Sequence, residues 1–147
     1  MKKILFSIAV CFIAFNLNSC KKETVVETPT IIGNWKLEKI KGVFYSFGVQ
    51  YYDTTINAAS FGESKYLNFK EDKTFEDKIV NINTGSVETT TGNYNLSGTN
   101  LTLNYKDLST WDFENVSFDA KRLITVEYDP NKSDPDRSVY TYEWIRQ

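Results

Sequence analysis

Between Ile31 and Gln147 the chain consists of short runs of alternating apolar and polar side chains, separated by turn residues about every 8 to 12 positions. In the run LTLNY, for example, Leu101, Leu103 and Tyr105 would share one face of a strand. No long segment shows the 3.6-residue apolar period of an amphipathic helix. These features predict an all-β domain of about eight strands.

The connections between the runs distinguish two all-β architectures. Turns such as SGTN at residues 97–100 and DAK at residues 119–121 are short enough to join consecutive antiparallel strands as hairpins. A series of hairpins favours an up-and-down barrel, because closure pairs both edge strands. A β-sandwich is the alternative, although it more often needs Greek-key connections. We therefore expect an antiparallel up-and-down barrel whose first and last strands pair.

The first 19 residues have the organisation of an export signal. Two lysines precede an apolar run from Ile4 to Phe15, which is shorter than the helix of about 20 residues needed to span a bilayer. The segment LNSC that follows ends in Cys20 and resembles the lipobox of bacterial lipoproteins. The resemblance implies cleavage before Cys20 and attachment of acyl chains such as palmitate, and more than one chain gives persistent anchoring. The alternative is an incidental cysteine near an ordinary cleavage site.

The predicted organisation has three parts. Residues 1–19 form a signal peptide, residues 20–30 form a lipidated cysteine with a polar flexible tether, and residues 31–147 form one barrel domain. We expect the mature protein to be lipid-anchored in the cell envelope, at the outer membrane. Its membrane face and its oligomeric state stay open at this point.

Composition excludes several classes of function. Loss of Lys2 and Lys3 with the signal would leave 15 of the 17 basic residues against 19 acidic residues. This balance disfavours nucleic-acid binding, because a basic surface supplies most of that affinity. The chain contains no histidine, and Cys20 is the one cysteine expected in the mature chain. Serine–histidine triads, cysteine nucleophiles and the usual zinc sites are therefore excluded.

The acidic residues do not indicate a catalytic or metal site. Several lie beside lysines or in turns and are interpreted as solvated: Glu71, Asp72, Glu76 and Asp77. The segment DPNKSDPD at residues 129–136 has oxygen-bearing side chains at alternate positions, as at the start of a calcium loop, but it lacks the required glycine and glutamate. A hairpin loop fixed by two prolines explains it better. We expect no enzyme, no metal and no cofactor.

Three stretches carry a resemblance to a known family. Gly33-Asn34-Trp35 opens the first strand, YLNFKEDKTF forms one hairpin, and TGNYNLSGTNLTLNY forms a second. Over residues 31–147 the chain resembles the lipocalin-like domain of small bacterial lipoproteins, in the calycin group. The resemblance implies that Trp35 packs across the closed end of the barrel and that a late basic residue stacks on it. Barrel closure brings the same two chain regions together, so we predict a structural clasp between Trp35 and Arg146.

Residues 43–64, VFYSFGVQYYDTTINAASFGES, are rich in aromatic side chains. Six of them are candidate ligand-binding residues: Phe44, Tyr45, Phe47, Tyr51, Tyr52 and Phe61. In one interpretation the segment is a flap over the barrel mouth that offers its aromatics to an apolar guest. In the other, part of it is the second strand and the aromatics fill the core.

These features predict a membrane-anchored, lipocalin-like binding protein that holds a small hydrophobic or amphipathic ligand in the cell envelope. The alternative is a non-enzymatic envelope protein with a filled barrel, in which exposed aromatics such as Trp111 or Tyr51 contact a protein or glycan partner. A cavity would favour the first hypothesis and a flat apolar patch the second.

Overall fold

The computed structural model describes residues 29–147, which form one antiparallel sheet rolled into a barrel. Within this range no helix is long and apolar enough to cross a membrane. The elements in chain order are β1 (Gly33–Ser46), β2 (Val49–Asn57), the 3-10 helix η1 (Ala58–Phe61), β3 (Glu63–Phe69), β4 (Thr74–Asn81), β5 (Val87–Ser97), β6 (Asn100–Tyr105), β7 (Thr110–Phe118), β8 (Arg122–Tyr128) and β9 (Ser138–Arg146). The predicted signal peptide, Cys20 and residues 21–28 of the tether lie outside the described residues.

The first and last strands pair with each other and close the sheet. β1 is antiparallel to β9 from the pair Trp35↔Arg146 to the pair Phe44↔Ser138. From β3 to β9, each strand pairs with its neighbours in sequence. The predicted up-and-down barrel is therefore confirmed, and the sandwich alternative is wrong because one continuous sheet closes on itself.

The barrel contains nine strands, against the eight predicted, because one strand position is divided. β2 pairs with the second half of β1, and β3 pairs with residues 33–36 of β1, so both lie along the same edge one after the other. η1 separates them, and Gly62 follows it with a φ of 74°, a conformation that glycine adopts without steric strain. The nine strands thus occupy eight positions around the barrel.

Antiparallel connections alternate between the two ends of the barrel. We call the end that holds the start of β1 and the end of β9 the closed end, and the opposite end the open end. The closed end also carries the turns at residues 70–73, 98–99 and 119–121. The open end carries the connections at residues 47–48, 82–86, 106–109 and 129–137.

Large apolar side chains fill the barrel toward its closed end. The most deeply buried of them, none more than 1% exposed, are Trp35, Leu67, Phe69, Phe75, Leu101, Leu103, Phe113 and Leu123. Burial of one side chain of this size contributes about 1.5–3 kcal/mol. This core therefore supplies most of the stability of the barrel and leaves the open half as the place for a site.

Candidate functional site

Toward the open end, the barrel interior becomes polar and aromatic. Strand residues two positions apart point to the same face, so Lys65 shares the inward face of β3 with buried Leu67, and Asp77 shares that of β4 with buried Phe75. The same alternation turns four further side chains of β6 to β9 inward: Tyr105, Trp111, Glu127 and Tyr142. We call these four residues, together with Lys65 and Asp77, the interior cluster.

Asp77 is the buried carboxylate of this cluster, with 6% of its surface exposed. Lys65 Nζ lies 3.1 Å from Oδ2 of Asp77, and the Tyr105 hydroxyl donates to the same oxygen at 2.8 Å. The second oxygen, Oδ1, is buried and has no hydrogen-bond partner within the described part of the chain. Such an atom is unfavourable by about 1–3 kcal/mol and is rare in folded proteins. Oδ1 therefore has an unused acceptor position among the described residues, and almost none of its surface is accessible.

Tyr105 and Lys65 fix the orientation of this carboxylate. Burial raises the pKa of the Tyr105 hydroxyl far above its usual value, and the charge of Asp77 and the hydrogen bond to it raise the pKa further. The hydroxyl consequently stays protonated and remains a donor. Lys65 Nζ also lies 4.5 Å from the centre of the Trp111 ring, within range of a cation–π interaction. The ammonium group of Lys65 thus already covers the Trp111 indole.

Tyr142 and Glu127 form a second tyrosine–carboxylate pair nearby. The Tyr142 hydroxyl donates to Oε2 of Glu127 at 2.5 Å. Burial raises the pKa of Tyr142, and the hydrogen bond and charge of Glu127 add to the effect. The rings of Trp111, Phe113 and Tyr142 lie 5.1, 5.8 and 6.0 Å apart between centres, in the range of favourable aromatic contacts. Phe113 is buried in the core, so Trp111 and Tyr142 are the two of these rings that keep partly exposed surface.

A cleft at the open end adjoins the interior cluster. β7 contains a bulge after Glu114, where Asn115 has a φ of 51° and the register with β8 shifts. The cleft has a volume of about 400 Å³, and Trp111, Glu127 and Lys132 are among its lining residues. Lys132 forms an ion pair with Glu114 at its wall. The volume falls within the range of about 300–1,000 Å³ that is typical of small-molecule sites.

The six aromatic candidates predicted from residues 43–64 do not form one site. Phe44, Tyr45 and Tyr51 line a separate pocket of about 330 Å³ at the open end. The guanidinium carbon of Arg137 lies 4.5 Å from the Tyr45 ring in the same pocket. Tyr52 packs against Phe44, with 5.7 Å between the ring centres.

The structure rules out the flap and confirms that part of this segment is the second strand. The segment forms the end of β1, all of β2 and η1, so it is part of the barrel wall and not a flap. Four of its six aromatics do not fill the core, since Phe47 is 87%, Tyr51 68%, Tyr52 52% and Phe61 58% exposed, whereas Phe44 and Tyr45 are partly buried. The reason is that β2 pairs only with β1 among the described strands, so little packs against its outer residues. A ligand-binding role for these side chains stays a prediction.

Trp35 and Arg146 meet at the closed end. The guanidinium carbon of Arg146 lies 4.2 Å from the centre of the Trp35 ring, and its two terminal nitrogens donate to backbone carbonyls within residues 30–32 at 2.7 and 2.6 Å. The Trp35 indole N–H donates to a third carbonyl of this segment at 2.7 Å. Gly33, with a φ of 130°, leaves room for the guanidinium, because a Cβ there would lie 2.6 Å from Nη1.

The acidic loop after β8 is organised by hydrogen bonds to its own surroundings. The carboxylates of Asp129 and Asp134 each accept the backbone N–H two residues further on. Asp136 accepts the Ser46 hydroxyl at 2.9 Å and the Phe47 N–H at 2.8 Å, which joins the loop to the β1–β2 turn. Within residues 29–147, no group of three or more acidic, histidine or cysteine side chains is placed to hold a metal.

Sequence reasoning missed the interior cluster, and the assignment of Asp77 to the solvated surface is wrong. That assignment rested on the neighbouring charges in KTFEDKI. A signal was nevertheless present, because Asp77 follows Phe75 by two residues and Lys65 precedes Leu67 by two, which places both in phase with the core. Alternation is thus a better guide to burial here than residue type.

Comparisons with known proteins agree with this architecture. The family model described as a lipocalin-like domain matches residues 31–125. The structure of a lipocalin-like protein from Bacteroides uniformis ATCC 8492 has a TM-score of 0.51 at 14% identity and covers 79% of this chain and 97% of its own. The structure of an uncharacterized protein from Bacteroides eggerthii DSM 20697 has a TM-score of 0.51 at 12% identity and covers 79% of this chain and 98% of its own. At these identities the likeness concerns the fold alone. No curated protein matches the chain.

Proposed function

Because this chain belongs to the lipocalin-like domain family, we propose that it is a binding protein that holds a small amphipathic molecule in the open half of its barrel. The observation that carries the proposal is Oδ1 of Asp77, which is buried and without a hydrogen-bond partner in the described residues. A ligand hydroxyl or N–H group would complete the hydrogen bonding of this oxygen. The Trp111 ring, which lines the cleft at the open end, would receive the apolar part of the molecule.

We propose binding without catalysis. Lys65 and Asp77 pair at 3.1 Å, so each charge is balanced by the other. The raised pKa values keep the hydroxyls of Tyr105 and Tyr142 protonated at neutral pH, whereas a general base needs a pKa near the working pH. The chain also contains no histidine. These properties support a recognition role for the interior cluster.

Titration with N-phenyl-1-naphthylamine tests this proposal, because the probe is apolar, fluoresces on binding and has a single N–H donor. We expect saturable binding, and we expect Asp77→Asn to weaken it about tenfold, since a hydrogen bond to a charged group is worth about 1.5–3 kcal/mol. The matched control is Asp53→Asn, because Asp53 is also paired with a lysine, Oδ2 lying 3.9 Å from Lys41 Nζ, but is exposed on β2 and does not line the cleft. No saturable binding, or equal affinity for Asp77→Asn and the control, would contradict the proposal.

We further propose that acyl chains on Cys20 anchor the protein at the outer membrane. The support is the order of basic residues, apolar run and LNSC segment in the sequence. Metabolic labelling with an alkyne analogue of palmitate should mark the native chain and Cys11→Ser, and it should not mark Cys20→Ser. Label that persists in Cys20→Ser would rule out this attachment site.

A second candidate function is recognition of a protein or glycan partner. It is favoured by the exposure of Tyr51, Tyr52 and Phe61, which lie on or beside β2. The outer edge of β2 has no paired strand within residues 29–147, and aromatic side chains are enriched at interfaces. A photo-crosslinking residue at Tyr51 in intact cells should then recover one specific partner. Recovery of none would eliminate this candidate.

A further inference from the structure

The connections at the two ends of the barrel differ in chemistry. Three of the four at the open end display an exposed, large apolar side chain: Phe47 is 87%, Ile82 51% and Leu108 92% exposed. The turns at the closed end have the sequences KEDK, GT and DAK and contain no such residue. We call Phe47, Ile82 and Leu108 the apolar rim.

Local folding does not explain two of these residues. Phe47 has a φ of 51° and Leu108 a φ of 72°, a region that is unfavourable for bulky side chains and in which turns prefer glycine or asparagine. Neither side chain contributes to the core, because both are almost fully exposed. Residues in such conformations are concentrated at functional sites. Packing within the described residues therefore does not account for these two side chains.

We propose that the apolar rim inserts into a lipid bilayer, so that the open end of the barrel faces the membrane. Three such side chains expose on the order of 400 Å² of apolar surface, about half of the area of about 800 Å² that each partner buries in a stable protein complex. This surface is divided among three hairpins. A rigid protein would need a separate pocket for each tip, whereas fluid acyl chains accommodate the tips singly.

The charges around the rim specify the kind of lipid surface. The four open-end connections contain Asp107, Asp129, Asp134 and Asp136 against Lys106, Lys132 and Arg137. Attraction to anionic lipids needs clustered basic residues. In the open-end connections the basic residues do not outnumber the acidic residues. Insertion is therefore driven by apolar contact, and it requires neither anionic headgroups nor low salt.

Partition into vesicles of phosphatidylcholine, a zwitterionic lipid, tests this inference independently of Cys20. A chain beginning at Lys21 keeps every described strand and the described core, and cooperative thermal unfolding establishes that it folds. The rim variant carries Phe47→Asn, Ile82→Asn and Leu108→Asn. We expect it to bind at least tenfold less than the native sequence, with an unchanged or higher unfolding midpoint, since asparagine tolerates a positive φ. The single variant Leu108→Asn should bind about threefold less.

The matched control changes three exposed residues at the closed end: Glu71→Asn, Thr99→Asn and Ala120→Asn. We expect it to bind as the native sequence does, and we expect binding to be the same in 0.1 and 0.5 M salt. Equal partition of the native and rim-variant chains would overturn the proposal. Rim-dependent dimerisation without vesicle binding, measured by sedimentation velocity, would also overturn it and would identify the rim as a contact between copies.

Discussion

At the scale of single residues, Asp77 is a buried carboxylate with one oxygen that has no hydrogen-bond partner among the described residues. It is buried, charged and only partly satisfied by Lys65 and Tyr105. Replacement of a buried ion pair by apolar residues is often neutral or stabilising, so stability alone does not explain the pair. The proposed ligand contact does explain why a carboxylate is kept there. The sequence analysis missed the burial of Asp77, because a charged residue without a recognisable partner in the sequence is normally assigned to the solvated surface.

The first prediction concerns the positive charge that Lys65 places beside the Asp77 carboxylate. Lys65→Met should lower the free energy of unfolding by about 3 kcal/mol, because it leaves a buried carboxylate without an opposite charge. The double variant Lys65→Met with Asp77→Leu should recover most of that loss. The control is Lys78→Met, since Lys78 is exposed on the outer face of β4 and should change stability by about 0.5 kcal/mol or less. Urea denaturation measures all four proteins, and equal stability of Lys65→Met and the control would refute the account of the pair.

The second prediction concerns the closed end. Arg146→Lys should lower the free energy of unfolding by about 1–2 kcal/mol, because lysine cannot both cover the Trp35 ring and donate two directed hydrogen bonds to residues 30–32. The exposed Arg122→Lys serves as its control. If the two variants unfold at the same urea concentration, the Trp35–Arg146 contact is not a clasp.

At the scale of elements, aspartate side chains organise the turns. Asp72 and Asp107 each accept the N–H and the hydroxyl of the residue two positions on, Thr74 and Ser109. Asp119 accepts two backbone N–H groups in the β7–β8 turn. This is ordinary turn chemistry, which is why the hairpins were predictable from sequence. The division of one barrel position into β2 and β3 was not, because Asn57 to Gly62 contains no proline and its one glycine follows η1.

The third prediction is a pH dependence that follows from these turns. Hydrogen bonds from Thr74 and Ser109, the hydroxyl first and then the N–H, lower the pKa values of Asp72 and Asp107, and backbone N–H groups lower that of Asp119. A pKa lowered by folding adds stability above the ordinary value near 3.8, and that stability is lost as pH falls through the folded pKa. The stability from these three turns should thus be complete above about pH 5 and decline below about pH 4.

Urea denaturation of the native chain and of the triple variant Asp72→Asn, Asp107→Asn, Asp119→Asn isolates the contribution of these three carboxylates to the pH dependence of stability. The variant should be less stable at pH 7 and should lose less stability on acidification, so that the two urea midpoints converge toward pH 2. Parallel pH profiles for the two proteins would show that the turn carboxylates do not contribute.

At the scale of the whole molecule, the closed barrel has an apolar interior toward its closed end and a polar, aromatic interior toward its open end. Pairing of β1 with β9 and the contact of Trp35 with Arg146 were predictable, because an up-and-down chain brings its first and last strands together. Which residues of a strand point into the barrel decides which side chains meet at the open end. In β1 and β7 this alternation changes at the bulges after Leu37 and Glu114. Alternation places Lys65 and Asp77 in phase with the core, but it does not show which strands face each other across the barrel, so the contacts within the interior cluster were not predictable.

Native mass spectrometry of the chain purified from its own cells in mild detergent tests the central claim most directly. We predict one small molecule bound per chain, released by organic solvent and lost when Asp77→Asn is purified in the same way, while Asp53→Asn retains it. A native chain that carries no bound molecule beyond its acyl groups, or one whose ligand remains in Asp77→Asn, would contradict binding at the interior cluster.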